Sequence, residues 1–326
     1  MDFQRANSFP WLDAVREEIT RLRSADRLPH AILVLAREGL GSDALANWSA
    51  AAVLCESSPA PCGACASCVL LAGDNHPDLH RVELEENAQQ LKIEQVRDLI
   101  GALGLTAYRG GYKVGILHDA DRLNAAGANA FLKTLEEPPP RTLLLLLAAP
   151  NHRLPATIAS RCRRIVLSLP SQDQALSWLG AQGVESGEAL ARLRLAQGAP
   201  LGALAFDPQV VQSVAKEMSQ ELAQLDANRV DPSLLAERWL RSEPALRIAW
   251  LENWITDRIR ALSTGTPAIA KTAEPVVLPR SLLKAKIRGL FELLDDTREF
   301  KRLAGTSANL QLALEGLLIR HFTQGV

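Results

Sequence analysis

The chain has 326 residues, 47% of them hydrophobic and 22% charged, with a formal net charge of −1. That length accommodates two or three domains, and the near-neutral balance excludes a global field that would draw the chain onto nucleic acid or a membrane surface. The opening Met1-Asp2-Phe3-Gln4 is not a basic stretch leading into an apolar run, and the longest apolar run, Leu143 to Pro150, is far too short for a bilayer. A cytoplasmic chain without membrane contact is expected, whose DNA contacts are local or shared with partners.

Short apolar runs predict buried strands at Ala31–Leu35, Lys113–Leu117, Leu143–Ala148 and Arg164–Leu169, with a weaker candidate at Asp78–Leu84. Helical patterns separate them. Val96, Leu99, Ile100 and Leu103 recur on one helical face. The Ala-rich stretch Leu123 to Glu136 is helix-prone and is stopped by Pro138-Pro139-Pro140. Strands alternating with helices predict a mostly parallel sheet covered on both faces. After Pro170 the strand signals end. Small helical segments fill 171–205, with turns around Gly183 and Gly198–Pro200. Helix candidates follow at Gln209–Leu225, Pro232–Leu240, Pro244–Leu262, Pro279–Leu294 and Asn309–Phe322, and Ser263–Pro279 reads as a long loop.

The first strand leads into Ala36-Arg37-Glu38-Gly39-Leu40-Gly41-Ser42-Asp43. An intact phosphate loop, G-x-x-x-x-G-K-[ST], cradles phosphates with backbone amides, reaches them with Lys and holds Mg²⁺ with its hydroxyl. Here Gly41 survives, but Ala36 replaces the first Gly, Ser42 the Lys and Asp43 the hydroxyl residue. A carboxylate there repels phosphate and no cation offsets it, so the fold is kept and nucleotide binding is expected to be lost. A second loss follows the strand ending at Leu117. ATPases commonly place Asp-Glu there, for Mg²⁺ and for water activation, whereas this chain has His118-Asp119. Mg²⁺ prefers oxygen ligands to a neutral imidazole.

Cys55, Cys62, Cys65 and Cys68 are spaced C-x6-C-x2-C-x2-C, within fourteen residues. Four thiolates suit tetrahedral Zn²⁺ and leave no open position, so a structural ion is expected. The competing reading is a redox-active C-x-x-C pair, which needs only two cysteines. Cys162 stands apart and reads as a small buried filler. Lys133 and Glu137 are four apart and could pair across one helical turn. Taken alone, Arg161 reads as a solvated arginine at a strand end. Arg280, Lys284, Lys286, Arg288, Arg298, Lys301 and Arg302 form a basic stretch offset by Asp295, Asp296 and Glu299, and read first as a solvated face. Trp239, Trp250 and Trp254 with Leu246, Leu251 and Ile255 read as bundle core or subunit interface.

Leu132-Lys133-Thr134-Leu135-Glu136-Glu137-Pro138-Pro139, followed by Ser160-Arg161-Cys162, resembles the clamp-loader branch of the AAA+ proteins. The four cysteines between the phosphate loop and the next strand resemble bacterial clamp-loader subunits in particular. The resemblance covers nearly the whole chain and is strongest over 25–170. It implies an α/β RecA-like AAA+ domain over 1–169 with a zinc module at 55–68. A small α-helical lid domain over 170–207 and an α-helical collar over 208–326, the oligomerisation domain, follow. It implies a pentameric ring with three ATP-binding gamma/tau subunits and one delta subunit, which places a sliding clamp on primed DNA during replication. With its degenerate phosphate loop the chain would be no enzyme by itself, and the DNA polymerase activity of the holoenzyme would reside in another subunit. Arg161 would act as an arginine finger on the ATP of a neighbouring subunit, a role suited to a forked, permanent cation. The lid sequence Gln197-Gly198-Ala199-Pro200-Leu201 has Leu201 where ATP-binding relatives carry an arginine, a third loss consistent with no nucleotide. Two other readings stay open on sequence grounds: an active ATPase with an unusual phosphate loop, and a zinc-dependent nucleic-acid-binding module.

Overall fold

A computed structural model describes residues 2–86, 88–109, 111–150, 154–264, 280–303 and 308–323, with side chains from 286 onward in the segment that begins at 280. The expected loop at 263–279 falls almost entirely outside the described residues, as do the side chains of Arg280 and Lys284. The chain divides into two compact units, Met1–Gly183 with Gly198–Gly202, and Val184–Gln197 with Ala203–Val326.

In the first unit, strands β1 (Ala31–Leu35), β2 (Leu79–Val82), β3 (Lys113–Leu117), β4 (Thr142–Ala148) and β5 (Arg163–Val166) form one sheet in the order β2-β3-β4-β1-β5. Every pairing is parallel. β1, β3 and β4 are buried along their full lengths. That is why they read as continuous apolar runs and not as alternating ones. The edge strands β2 and β5 are partly exposed, so their signal is weaker and the predicted bounds too long. β5 ends at Val166 as β1, its only strand partner among the described residues, ends at Leu35; Leu167 N–H makes the last contact, donating to Leu35 O at 2.9 Å.

Helices α1 (Asp13–Ser24), α2 (Ser42–Leu54), α3 (Ala66–Ala72), α4 (Ile93–Gly104), α5 (Ala125–Glu136), α6 (Ala156–Ala159) and α7 (Gln172–Ala181) complete this unit. The predicted face of α4 is the one that packs: Val96, Leu99 and Leu103 join Leu117, Phe131, Leu135 and Leu144 in the core. Each such aliphatic side chain contributes roughly 1.5–3 kcal/mol. Asn124 caps α5 by accepting the Gly127 N–H at 2.7 Å, and the helix ends before the prolines. Glu137 is already out of helical conformation (φ −124°, ψ 70°), so the helical geometry expected for a Lys133–Glu137 pair does not apply.

In the second unit, α8 (Ser186–Leu195) precedes α9 (Pro200–Ala205), whose second half belongs to this unit. Four helices follow, α10 (Pro208–Asp226), α11 (Pro232–Arg241), α12 (Pro244–Thr264) and α13 (Arg280–Leu303), then α14 (Leu310–Leu318) with one π-type turn (Ile319–Thr323). α10 and α11 start on the same device: Asp207 and Asp231 accept the N–H of Gln209 and Ser233, and a proline occupies the first turn. Trp239, Leu246, Leu251 and Ile255 lie in the core, with Trp250 and Trp254 packed against it. A polar centre sits among them. Glu221 accepts from Arg238 Nη1, Trp239 Nε1 and Arg247 Nη1 at 2.8, 2.8 and 3.2 Å.

Candidate functional site

In a parallel sheet all strands end on one edge, and the loops there are where such folds bind ligands. β1 delivers the loop of residues 36–43, the expected phosphate-loop remnant, to that edge, and β3 delivers His118. Gly39 and Gly41 have φ of +80° and +85°, so both turns need glycine. Their surroundings give a second reason. A Cβ on Gly39 would lie 2.7 Å from the Gly202 backbone N, and one on Gly41 would lie 3.1 Å from the Phe9 ring and 3.3 Å from Leu201. Leu201 N–H donates to Gly39 O at 3.1 Å, and Trp11 Nε1–H to Leu40 O at 2.8 Å. Trp11 stacks on Phe9 at 5.2 Å, and Trp178 meets both rings edge-on. The glycines thus hold the loop against protein groups, among them Leu201.

Asp43 lies in the first turn of α2, where a carboxylate offsets the helix dipole. Its Oδ1 is 2.9 Å from His118 Nδ1, and His118 Nε2 is 3.4 Å from Glu83 Oε1. The imidazole hydrogen bond holds the Asp43 carboxyl below its ordinary value despite the opposing effect of partial burial. An ionised carboxylate only accepts, so Nδ1 carries the proton. An imidazole therefore stands between two carboxylates at the ends of β2 and β3. Asp119, the expected counterpart of the catalytic base, has φ +48°, and its carboxyl is pushed up by burial and then by Asp121.

Arg161 is on the other edge. β5 runs parallel to β1 with Ile32 opposite Arg163 and Leu35 opposite Val166. Arg161 precedes β5 while the phosphate loop follows β1, so the length of the sheet separates them, roughly 15 Å at about 3.3 Å per residue. Its Nη1 donates to Thr157 O at 2.8 Å and its Nη2 to Glu136 Oε1 at 2.6 Å. Cys162 beside it is buried in the core, and burial pushes its thiol up to about 11, so it packs and does not react.

The cysteines converge. The Sγ atoms of Cys55, Cys62, Cys65 and Cys68 all lie within 4.8 Å of one another. The Cys55–Cys65 and Cys62–Cys68 separations are both 3.9 Å. A tetrahedron with metal–sulfur bonds of about 2.3 Å has edges of about 3.8 Å, so the set fits one four-coordinate ion. Backbone amides point at the sulfurs. Cys62 Sγ accepts from Ala64 and Cys65 N–H, which pull its thiol down to about 6. Burial pushes Cys55 and Cys68 up, so these two need a cation beside them to ionise.

A polar chain absent from the sequence reading fastens this module. Asp78 N–H donates to His76 Nδ1 at 3.1 Å, which leaves the ring proton on Nε2, 2.9 Å from Ser67 Oγ. Ser67 Oγ donates to Glu56 Oε1 at 3.3 Å, and Glu56 pairs with Arg109. Burial lowers the His76 pKa and keeps the ring neutral. α3 is thereby tied to the start of β2. A cavity of about 380 Å³ beside it includes Arg23 and Arg109, whose side chains are engaged by Cys55 O and Glu56. Glu83, Glu136 and His76 were all missed in the sequence; only Glu136 lay inside a motif, with nothing to indicate its partner.

Comparison with known proteins comes down on one family. A family model described as DNA polymerase III, delta subunit matches residues 12–171. DNA polymerase III subunit delta' of Pseudomonas aeruginosa is 34% identical over 97% of this chain and 97% of its own length. The Escherichia coli subunit delta' is 32% identical over 97% of this chain and 96% of its own. Among solved structures, a DNA polymerase III gamma subunit-related protein from Thermotoga maritima covers 96% of this chain and 99% of its own, at 18% identity and a TM-score of 0.40. The chain belongs to the delta' subunits of bacterial DNA polymerase III.

Proposed function

We propose that this chain is the non-ATP-binding, stator-like subunit of a replicative clamp loader, and that it supplies Arg161 in trans to the ATP of a neighbouring subunit. The observation that carries the reading is the separation of two edges. The phosphate-loop edge is packed with Phe9 and Leu201 and bridged by Asp43 and His118. The opposite edge presents Arg161, whose side chain retains 36% of its exposure. A cation so far from its own nucleotide-loop remnant is available to another subunit's phosphate. There a guanidinium stabilises charge on the transferring phosphoryl group, an effect worth about 10³–10⁵ in rate in GTPases.

On this reading the AAA+ domain spans 1–169, a helical lid 170–207 and a helical collar 208–326. The collar holds a hetero-pentamer with gamma/tau and delta subunits, which opens the sliding clamp and places it on primed DNA. Cys55, Cys62, Cys65 and Cys68 hold one structural Zn²⁺, which fixes the loop between α2 and α3. The chain works in the cytoplasm and has no ATPase activity of its own. Among the described residues no helix is long and apolar enough to cross a membrane. Arg298 and Lys301 bond Glu252 and Arg302 pairs with Glu299, so this part of the basic stretch is engaged within the chain.

The test is steady-state ATPase of a clamp loader reconstituted with clamp and primed DNA, wild type against Arg161→Ala. Assembly and zinc content are checked in both. The expected result is a large fall in kcat with an intact complex. Unchanged turnover would reduce the chain to a scaffold.

A further inference from the structure

Arg161 is held at two points, and one of them is expensive for the helix that provides it. Glu136 is the last residue of α5. A carboxylate there faces the negative end of the helix dipole, where a cation is favoured. Its Oε1 nevertheless accepts from Arg161 Nη2 at 2.6 Å, while Thr157 O at the start of the α6 turn accepts from Nη1 at 2.8 Å. The two side chains keep 36% and 51% of their exposure. An exposed ion pair of this kind adds little to stability, so its effect is to be sought in the orientation of the guanidinium. An unrestrained arginine samples many rotamers, whereas a fork tied at both terminal nitrogens is already ordered. Among the described residues two of its five N–H groups are used, and three remain for an incoming phosphate.

We infer that Glu136 is the positioning residue for Arg161. Its carboxylate oxygen and the Thr157 carbonyl fix the guanidinium before the neighbouring subunit's ATP arrives. This rests on the trans-finger reading of Arg161. The acceptor atom carries the role, so a glutamine, which keeps a carbonyl oxygen at the same reach, should perform it and an alanine should not.

The experiment measures kcat and KM for ATP of the reconstituted complex carrying Glu136→Ala, Glu136→Gln, Arg161→Ala or the Glu136→Ala/Arg161→Ala pair. Assembly of each is checked by gel filtration. Glu136→Ala is expected to lower kcat by about tenfold, in keeping with the cost of a misplaced catalytic group, with KM nearly unchanged. Glu136→Gln restores turnover to about twofold of wild type, and in the Arg161→Ala background Glu136→Ala costs nothing further. Should the alanine variant fail to assemble, Glu136→Asp, one methylene shorter, is measured in its place and should show the same loss of kcat. Wild-type turnover in Glu136→Ala, a glutamine variant as slow as alanine, or an additional loss in the Arg161→Ala background overturns the inference while leaving the finger intact. An Arg161→Ala complex as fast as wild type removes both.

Discussion

His118 Nδ1 lies 2.9 Å from Asp43 Oδ1, and its other ring nitrogen lies 3.4 Å from Glu83. The His118–Asp43 hydrogen bond joins the end of β3 to the first turn of α2. Because the hydrogen bond lowers the Asp43 pKa from 3.8, the carboxylate contributes stability that is present above that value and lost as pH falls through the still lower folded value. Asp43→Asn should therefore cost about 0.5 kcal/mol near pH 6, the range for a solvent-facing pair. In urea titrations the gap from wild type should close below the ordinary carboxylate pKa. A gap that persists in acid would assign the effect to packing.

The turns at Gly39 and Gly41 should resist substitution in the absence of any nucleotide. Gly39→Ala forces a positive φ on alanine and a contact of 2.7 Å with the Gly202 backbone. A loss of more than about 1 kcal/mol in chemical unfolding of the isolated chain is expected. Isothermal titration with MgATP should give no heat of binding for wild type, because Asp43 and the missing lysine disfavour phosphate. A measurable affinity would revive the reading of an active ATPase.

Metal loss should be legible in the melting temperature. An ion bound only by the folded chain stabilises it in proportion to the logarithm of its free concentration, about 4 kcal/mol at a thousandfold excess over Kd. One zinc per chain by elemental analysis, and a lowered Tm after chelation that zinc restores, are the expected results. Cys68→Ser, fully buried, should abolish binding. Strong disulfide formation with no metal uptake would favour the redox reading of the cysteines.

The helical unit has its own sensitive point at Glu221. Removing it by Glu221→Ala takes the acceptor from Arg238, Trp239 and Arg247, the last only 2% exposed. Breaking a buried ion pair from one side costs about 3 kcal/mol or more. Adding Arg247→Met should recover part of that loss in urea unfolding, since the stranded cation is gone. Full additivity of the two substitutions would mean that Glu217, which also pairs with Arg247, already satisfies it.

The sequence by itself determined the central strands, most of the helices and which residue types stand at each candidate position. Short continuous apolar runs between helical patterns pointed to buried parallel strands, and β1, β3 and β4 lie within a residue of where their patterns placed them. The cysteine spacing and the presence of Ser42, Asp43 and His118 after their strands are one-dimensional facts that needed no fold. Edge strands were drawn too long, because half-exposed residues carry a diluted pattern. Tertiary structure alone decided what faces what: Glu136 against Arg161, Glu83 and Asp43 about His118, Leu201 over Gly41, and Arg161 at the sheet edge away from the phosphate loop. These pairs are set by strand order and register, and residues far apart along a chain leave no periodic trace of the neighbour they will meet.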